Sequence, residues 1–187
     1  MADRTDALQR LLGGNARYVA DEAIHPASRP SDAAQHPEVV ILSCSDSRVP
    51  PEIIFDQGIG ALFVVRAAGN TYDQLALESI EYAVVHLETR LIVVMGHDQC
   101  GAVTAAVQEY PRPVFGPMLT NIYPAIAKSR GQDGDPVSNA ISENAVLTAE
   151  RLAQDPKFAA MVASAELKIV AARYNLVTGA VTLLQEK

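Results

Sequence analysis

Apolar residues recur along this chain with two periods. The runs at 38–43 (EVVILS), 59–65, 91–95 (LIVVM), 167–173 (LKIVAAR) and 180–184 (AVTLL) are short and dense in branched side chains, which predicts five strands. The first and third are apolar enough to be buried on both faces, as strands of a parallel sheet are. Leu8, Leu11, Leu12 and Val19 fall near i, i+3, i+4 spacing and predict a helix over 5–19, weakened by Gly13-Gly14. Helical spacing returns at 73–87, where Leu77, Ile80, Tyr82, Val84 and Leu87 sit among polar residues, and again at 101–109, 116–129 and 137–154. Residues 21–37, rich in Pro, His, Ala and Ser, read as an irregular arm, and 175–179 as a turn between the last two strands. Strand and helix alternate without an internal repeat, a low-complexity tract or a linker. The expected class is α/β, with a mainly parallel central sheet flanked by helices. One domain is expected over 1–187, with 1–37 forming an N-terminal helix and arm.

Composition narrows the function. The 187 residues are 49% apolar and 20% charged, which suits a folded domain and excludes a disordered chain. A net charge of −7 argues against nucleic acid and anionic membranes as partners. Two cysteines exclude a disulfide scaffold, zinc-finger arrays and four-Cys iron–sulfur clusters. The first residues lack the apolar core of a secretory signal, and no apolar run spans a bilayer. A cytoplasmic protein is expected, whose cysteines serve as ligands or free thiols rather than as a bridge.

Both cysteines follow predicted buried strands directly, in Cys44-Ser-Asp46-Ser-Arg48 and in His97-Asp-Gln-Cys100. Functional groups of open parallel sheets gather at the carboxyl ends of strands, so neighbouring strands would bring two thiols and one imidazole together. Two Cys and one His are a catalytic zinc set that leaves a fourth position for water or substrate. A helix beginning at Cys100 would favour its thiolate, the metal-binding form. Alternate residues of extended backbone point the same way, so Cys44, Asp46 and Arg48 are expected to face one site. A carboxylate paired with a guanidinium stays ionised. Such an Asp46 can accept a hydrogen bond from a metal-bound water, or bind the metal itself. Taken singly, each of these residues has an ordinary structural use; it is their combination at two strand ends that points to a metal site.

These residues resemble the β-class carbonic anhydrases. The resemblance is carried by Cys-Ser-Asp-Ser-Arg-Val at 44–49, Phe-Asp-Gln-Gly-Ile-Gly at 55–60 and Leu-Phe-Val-Val-Arg at 62–66. It continues through Ala-Gly-Asn at 68–70, Ser-Ile-Glu-Tyr-Ala-Val at 79–84 and Gly-His-Asp-Gln-Cys-Gly-Ala-Val at 96–103, with weaker echoes near 11–18 and 174–181. It implies that Cys44, His97 and Cys100 bind one Zn2+ per chain and that Asp46 and Arg48 form the family's dyad, Asp46 serving as a fourth ligand in a closed state. It further implies that the Gly101 amide helps bind substrate and that Gln35, Phe63 and Tyr82 line a pocket shared across a dimer interface. His86 matches a position proposed as a proton shuttle. The implied reaction is reversible hydration of carbon dioxide to bicarbonate by zinc-hydroxide attack, in a homodimer or higher oligomer.

Several positions depart from that pattern. Ala61 and Ala67 stand where polar residues are usual, Asp98 and Gln99 replace small residues between the ligands, and there is no Trp for a bicarbonate-inhibition site. Two other readings use the same ligands: a hydrolase of COS or CS2, and a non-catalytic zinc-binding homologue. The ionised Asp46–Arg48 pair argues against the second, since a structural zinc site needs no such neighbour. A nucleotide-binding protein is excluded by the lack of a Gly-rich loop after the first strand.

Overall fold

The computed structural model describes residues 4–24, 34–112 and 116–184. Five strands, β1 (Val39–Ser43), β2 (Leu62–Arg66), β3 (Leu91–His97), β4 (Lys168–Tyr174) and β5 (Val181–Leu184), form one sheet in the order β2-β1-β3-β4-β5. The first four are parallel, and β5 returns antiparallel to β4 through the turn at 175–179. Every residue of β1 and β3 is buried, as their unbroken apolar runs require.

The strand period of two divides the core. Val39, Ile41, Leu91, Val93 and Met95 face helix α1 (Arg4–Val19) and the short α2 (Pro51–Ile54) on one side. Val40, Leu42, Ile92 and Val94 face α3 (Gln74–Val85) and α7 (Pro136–Gln154) on the other. Gly14 sits where α1 crosses α2, and a Cβ there would lie 1.8 Å from the Phe55 carbonyl oxygen. The glycine that weakens α1 as a helix is what lets it pack. A third apolar cluster caps the carboxyl end of the sheet, formed by α4 (Gly101–Glu109), α5 (Gly116–Thr120), α6 (Tyr123–Ser129) and the start of α7. No helix among the described residues is long and apolar enough to cross a membrane.

The α/β class and the strand set agree with the sequence expectation, with three local corrections. The helix expected over 116–129 is two helices, α5 and α6, because Pro124 in the first turn of α6 has no N–H to continue a preceding helix. The strand expected from 59 begins at Leu62, because Gly58, Ile59 and Gly60 form a turn with Gly60 at φ +88° and Ile59 outside the core. The helices α2 and α8 (Ala159–Ala163) were not legible, being four and five residues long. Most of the arm expected over 21–37 lies outside the described residues.

Candidate metal centre

Strands β1 and β3 are neighbours, so their carboxyl ends deliver Cys44 and His97 to one place. Cys100 follows three residues after His97 as the N-cap of α4. The ligand atoms of Cys44, His97 and Cys100 all lie within 4.8 Å of one another, and all three residues are buried. His97 Nδ1 is 2.8 Å from the carbonyl oxygen of Asp98, which can only accept, so the proton is on Nδ1. Nε2 therefore presents its lone pair, and it is buried without a hydrogen-bond partner. A tetrahedral zinc with bonds of about 2.3 Å to sulfur holds two thiolates about 3.8 Å apart; Cys44 Sγ and Cys100 Sγ are 3.9 Å apart. Donor type, spacing and the unsatisfied imidazole nitrogen all fit zinc.

The same surroundings set the thiol chemistry. The Cys44 thiol is lowered to about 4, chiefly by its contact with Cys100 Sγ and further by the Gly69 amide, against the opposing effect of burial. That amide lies 3.3 Å from Cys44 Sγ. The Cys100 thiol is pushed up by its contact with Cys44 Sγ and by burial beside it, against the opposing pull of the α4 amides of Val103 and Ala102.

Asp46 and Arg48 pair closely. Arg48 donates from Nε to Asp46 Oδ1 at 2.9 Å and from Nη2 to Oδ2 at 2.7 Å, and its backbone N–H also reaches Oδ1 at 2.9 Å. These bonds hold the Asp46 carboxyl well below the usual carboxylate range. Its Oδ2 is 3.8 Å from His97 Nε2, beside the ligand cluster. The reason they meet differs from the expectation of alternating extended backbone. The chain turns at 47–48, Val49 N–H donates to Asp46 O, and the Asp46 side chain folds over that turn onto Arg48.

Sequence reasoning missed two further supports. Arg66, the last residue of β2, donates to the carbonyls of Cys44 (2.9 Å) and Asp46 (2.6 Å) and so clamps the loop that carries both. Asn144 of α7 donates to Gly69 O at 2.8 Å and steadies the amide that faces Cys44. A basic residue closing a motif strand was the available sign for Arg66; nothing local marks Asn144. At Ala61 and Ala67 the backbone groups are paired, with Gly58 and Glu38 and with Ser43 and Ser45 respectively.

Among the other expected site residues, Gly101 directly follows Cys100. Phe63 on β2 and Tyr82 on α3 have ring centroids 6.4 Å apart, and Tyr82 and His86 5.3 Å apart, forming a row along the β2 edge. Tyr82 and His86 are exposed, as is Gln35 in the arm. Gly101 opens α4, and its Cα faces open space where a side chain would stand.

A family model described as carbonic anhydrase matches residues 39–181. The fold also superposes on the β-carbonic anhydrase of Coccomyxa, solved with acetazolamide, with a TM-score of 0.74 at 25% identity over 100% of this chain and 88% of that one. The chain belongs to the β-carbonic anhydrases. It is by that membership an enzyme of the lyase class. A carbonic anhydrase of Mycolicibacterium smegmatis is 38% identical over 95% of this chain and 91% of its own length. Carbonic anhydrase 2 of Mycobacterium tuberculosis is 52% identical over 54% of this chain and 51% of its own length. A tetrameric β-carbonic anhydrase of Sordaria macrospora shares the fold with a TM-score of 0.72 at 24% identity, over 82% of this chain and 83% of that one.

Proposed function

We propose that this chain catalyses zinc-dependent, reversible hydration of carbon dioxide to bicarbonate and a proton. The observation that carries the reading is the buried Cys44–His97–Cys100 cluster with its unpartnered His97 Nε2, set beside a carboxylate that Arg48 keeps ionised. Cys44, His97 and Cys100 would hold the ion. When bound, zinc supplies a Lewis acid that makes a nucleophile from water at near-neutral pH. Asp46 accepts the hydrogen bond of that nucleophile and orients it. Arg48 fixes the carboxylate in place and keeps it from turning onto the metal, where it would become the fourth ligand of a closed, inactive state. The Gly101 N–H, at the start of α4, donates to a substrate oxygen.

The substrate pocket is completed across a dimer interface. Leu75 and Val85 are apolar yet 73% and 54% exposed on α3, next to the half-buried edge strand β2. Burying that face in a second copy supports a dimer in which Gln35, Phe63 and Tyr82 line the partner's pocket. His86 at the end of α3 then carries the product proton outward to buffer. Reduced cysteines at the centre suit the cytoplasm.

The test is a gas-hydration assay of the purified protein with CO2, COS and CS2 in parallel. CO2 is expected to be the substrate turned over. Turnover of COS or CS2 without CO2 would assign the site to the related hydrolases instead.

A further inference from the structure

We propose that Arg173 is a positioning residue for the metal centre, acting through Asp98 to fix the turn that carries His97 and Cys100. The inference rests on the zinc reading above and concerns residues that reading does not use.

Asp98 and Gln99 lie between the two ligands. In the register of β3 and β4, Arg173 stands opposite Gly96 and Tyr174 opposite His97, so Arg173 reaches the carboxyl end of the sheet beside the ligand turn. Its guanidinium bridges two structures. On one side, Nε and Nη2 each meet Asp98 Oδ1 at 2.6 Å. On the other, Nη1 donates to Ser138 O at 3.0 Å and Ser142 Oγ at 2.8 Å, and Nη2 to Ser138 Oγ at 2.9 Å, all on the first turns of α7. An isolated surface pair leaves most of a guanidinium turned to water; here each nitrogen has a protein acceptor, in a fork that lysine cannot reproduce.

Asp98 is thereby held at three points. Its N–H donates to Tyr174 O at 3.0 Å, its side chain is tied to Arg173, and its carbonyl accepts from His97 Nδ1 at 2.8 Å. The next residue, Gln99, takes a left-handed conformation at φ +52°, unusual for a residue with a side chain. A turn of that kind persists where its surroundings restrain it. With the Asp98 side chain released, the 98–99 peptide can rotate. The carbonyl that fixes the His97 tautomer and aims Nε2 at the two sulfurs then moves with it. Partners of this kind, once removed, typically cost about 10–100-fold in metal affinity.

The test is zinc release from the loaded full-length protein into excess chelator, for wild type, Arg173→Gln, Arg173→Lys and Ser142→Ala. Visible spectra of the Co2+-substituted forms are recorded alongside. Arg173→Gln is expected to lose zinc about tenfold faster or more and to alter the Co2+ spectrum, with Arg173→Lys between it and wild type. Should Arg173→Gln fail to fold, Ser142→Ala removes one anchor and leaves the ion pair. It is expected to release zinc about threefold faster, the scale of one neutral hydrogen bond. Release rates and Co2+ spectra equal to wild type, with only the melting temperature lowered, would show a merely structural pair and overturn the proposal. A wild-type protein that takes up no zinc would instead overturn the zinc reading, and this inference with it.

Discussion

His97 donates from Nδ1 to the carbonyl oxygen of Asp98 over 2.8 Å, which turns its buried, unpartnered Nε2 toward Cys44 and Cys100. A nitrogen left in that state is costly unless something coordinates it. Cys44→Ser should therefore lose most of the zinc, about one ion per chain in the wild type, because a hydroxyl is a far weaker ligand than a thiolate. Elemental analysis after desalting checks this; full retention would contradict the ligand assignment.

The dyad separates metal binding from turnover. Arg48 touches Asp46 but none of the three proposed ligands directly, so Arg48→Gln should keep its zinc while kcat falls about 100-fold, the scale of one lost positioning or proton-handling group. Steady-state CO2 hydration with a parallel zinc assay distinguishes this from loss of the ion.

The same pair predicts a pH dependence of stability in the metal-free protein. The Asp46 carboxyl is held low in the folded state, first by the Arg48 side chain and then by its backbone N–H. A depressed acid stabilises the fold above its unfolded-state pKa of about 4, and that contribution is lost as pH falls below it. The melting temperature of Arg48→Gln should thus lie below wild type at neutral pH, with the gap closing below about pH 4. A gap independent of pH would contradict the pairing.

The apolar face of α3 carries the oligomer prediction. Leu75→Glu with Val85→Glu places charge on side chains that are exposed in the single chain, so folding of the monomer should be unharmed. Light scattering should report 20.0 kDa particles for the variant and at least twice that for the wild type. CO2 hydration should be lost with the dimer while zinc stays bound.

His86 is exposed at the end of α3 and stacks near Tyr82. His86→Ala should slow turnover at low buffer concentration and recover as imidazole buffer is added, since small buffers can replace a proton carrier. A rate independent of buffer in both proteins would remove His86 from the proton path.

Much of this was written in the pattern of residues. Two buried runs ending in Cys44 and His97 placed the candidate ligands, because parallel neighbours must share a carboxyl end. What was not legible depended on contacts distant in sequence or on local turns. Asp46 and Arg48 were paired correctly, but by a turn rather than by an extended strand. Pro124 splits a helix that apolar spacing alone would continue. Arg173 lies 75 residues from Asp98, and Asn144 the same distance from Gly69, so no local signal links either pair.

The central claim is that a zinc ion held by Cys44, His97 and Cys100 performs CO2 hydration. Stopped-flow hydration, measured on one preparation as isolated, after chelation and after zinc is restored, tests it most directly. The account predicts activity in proportion to bound zinc, absent from the stripped protein and regained at about one ion per chain. Activity unchanged by chelation, or none at full zinc occupancy, would contradict it.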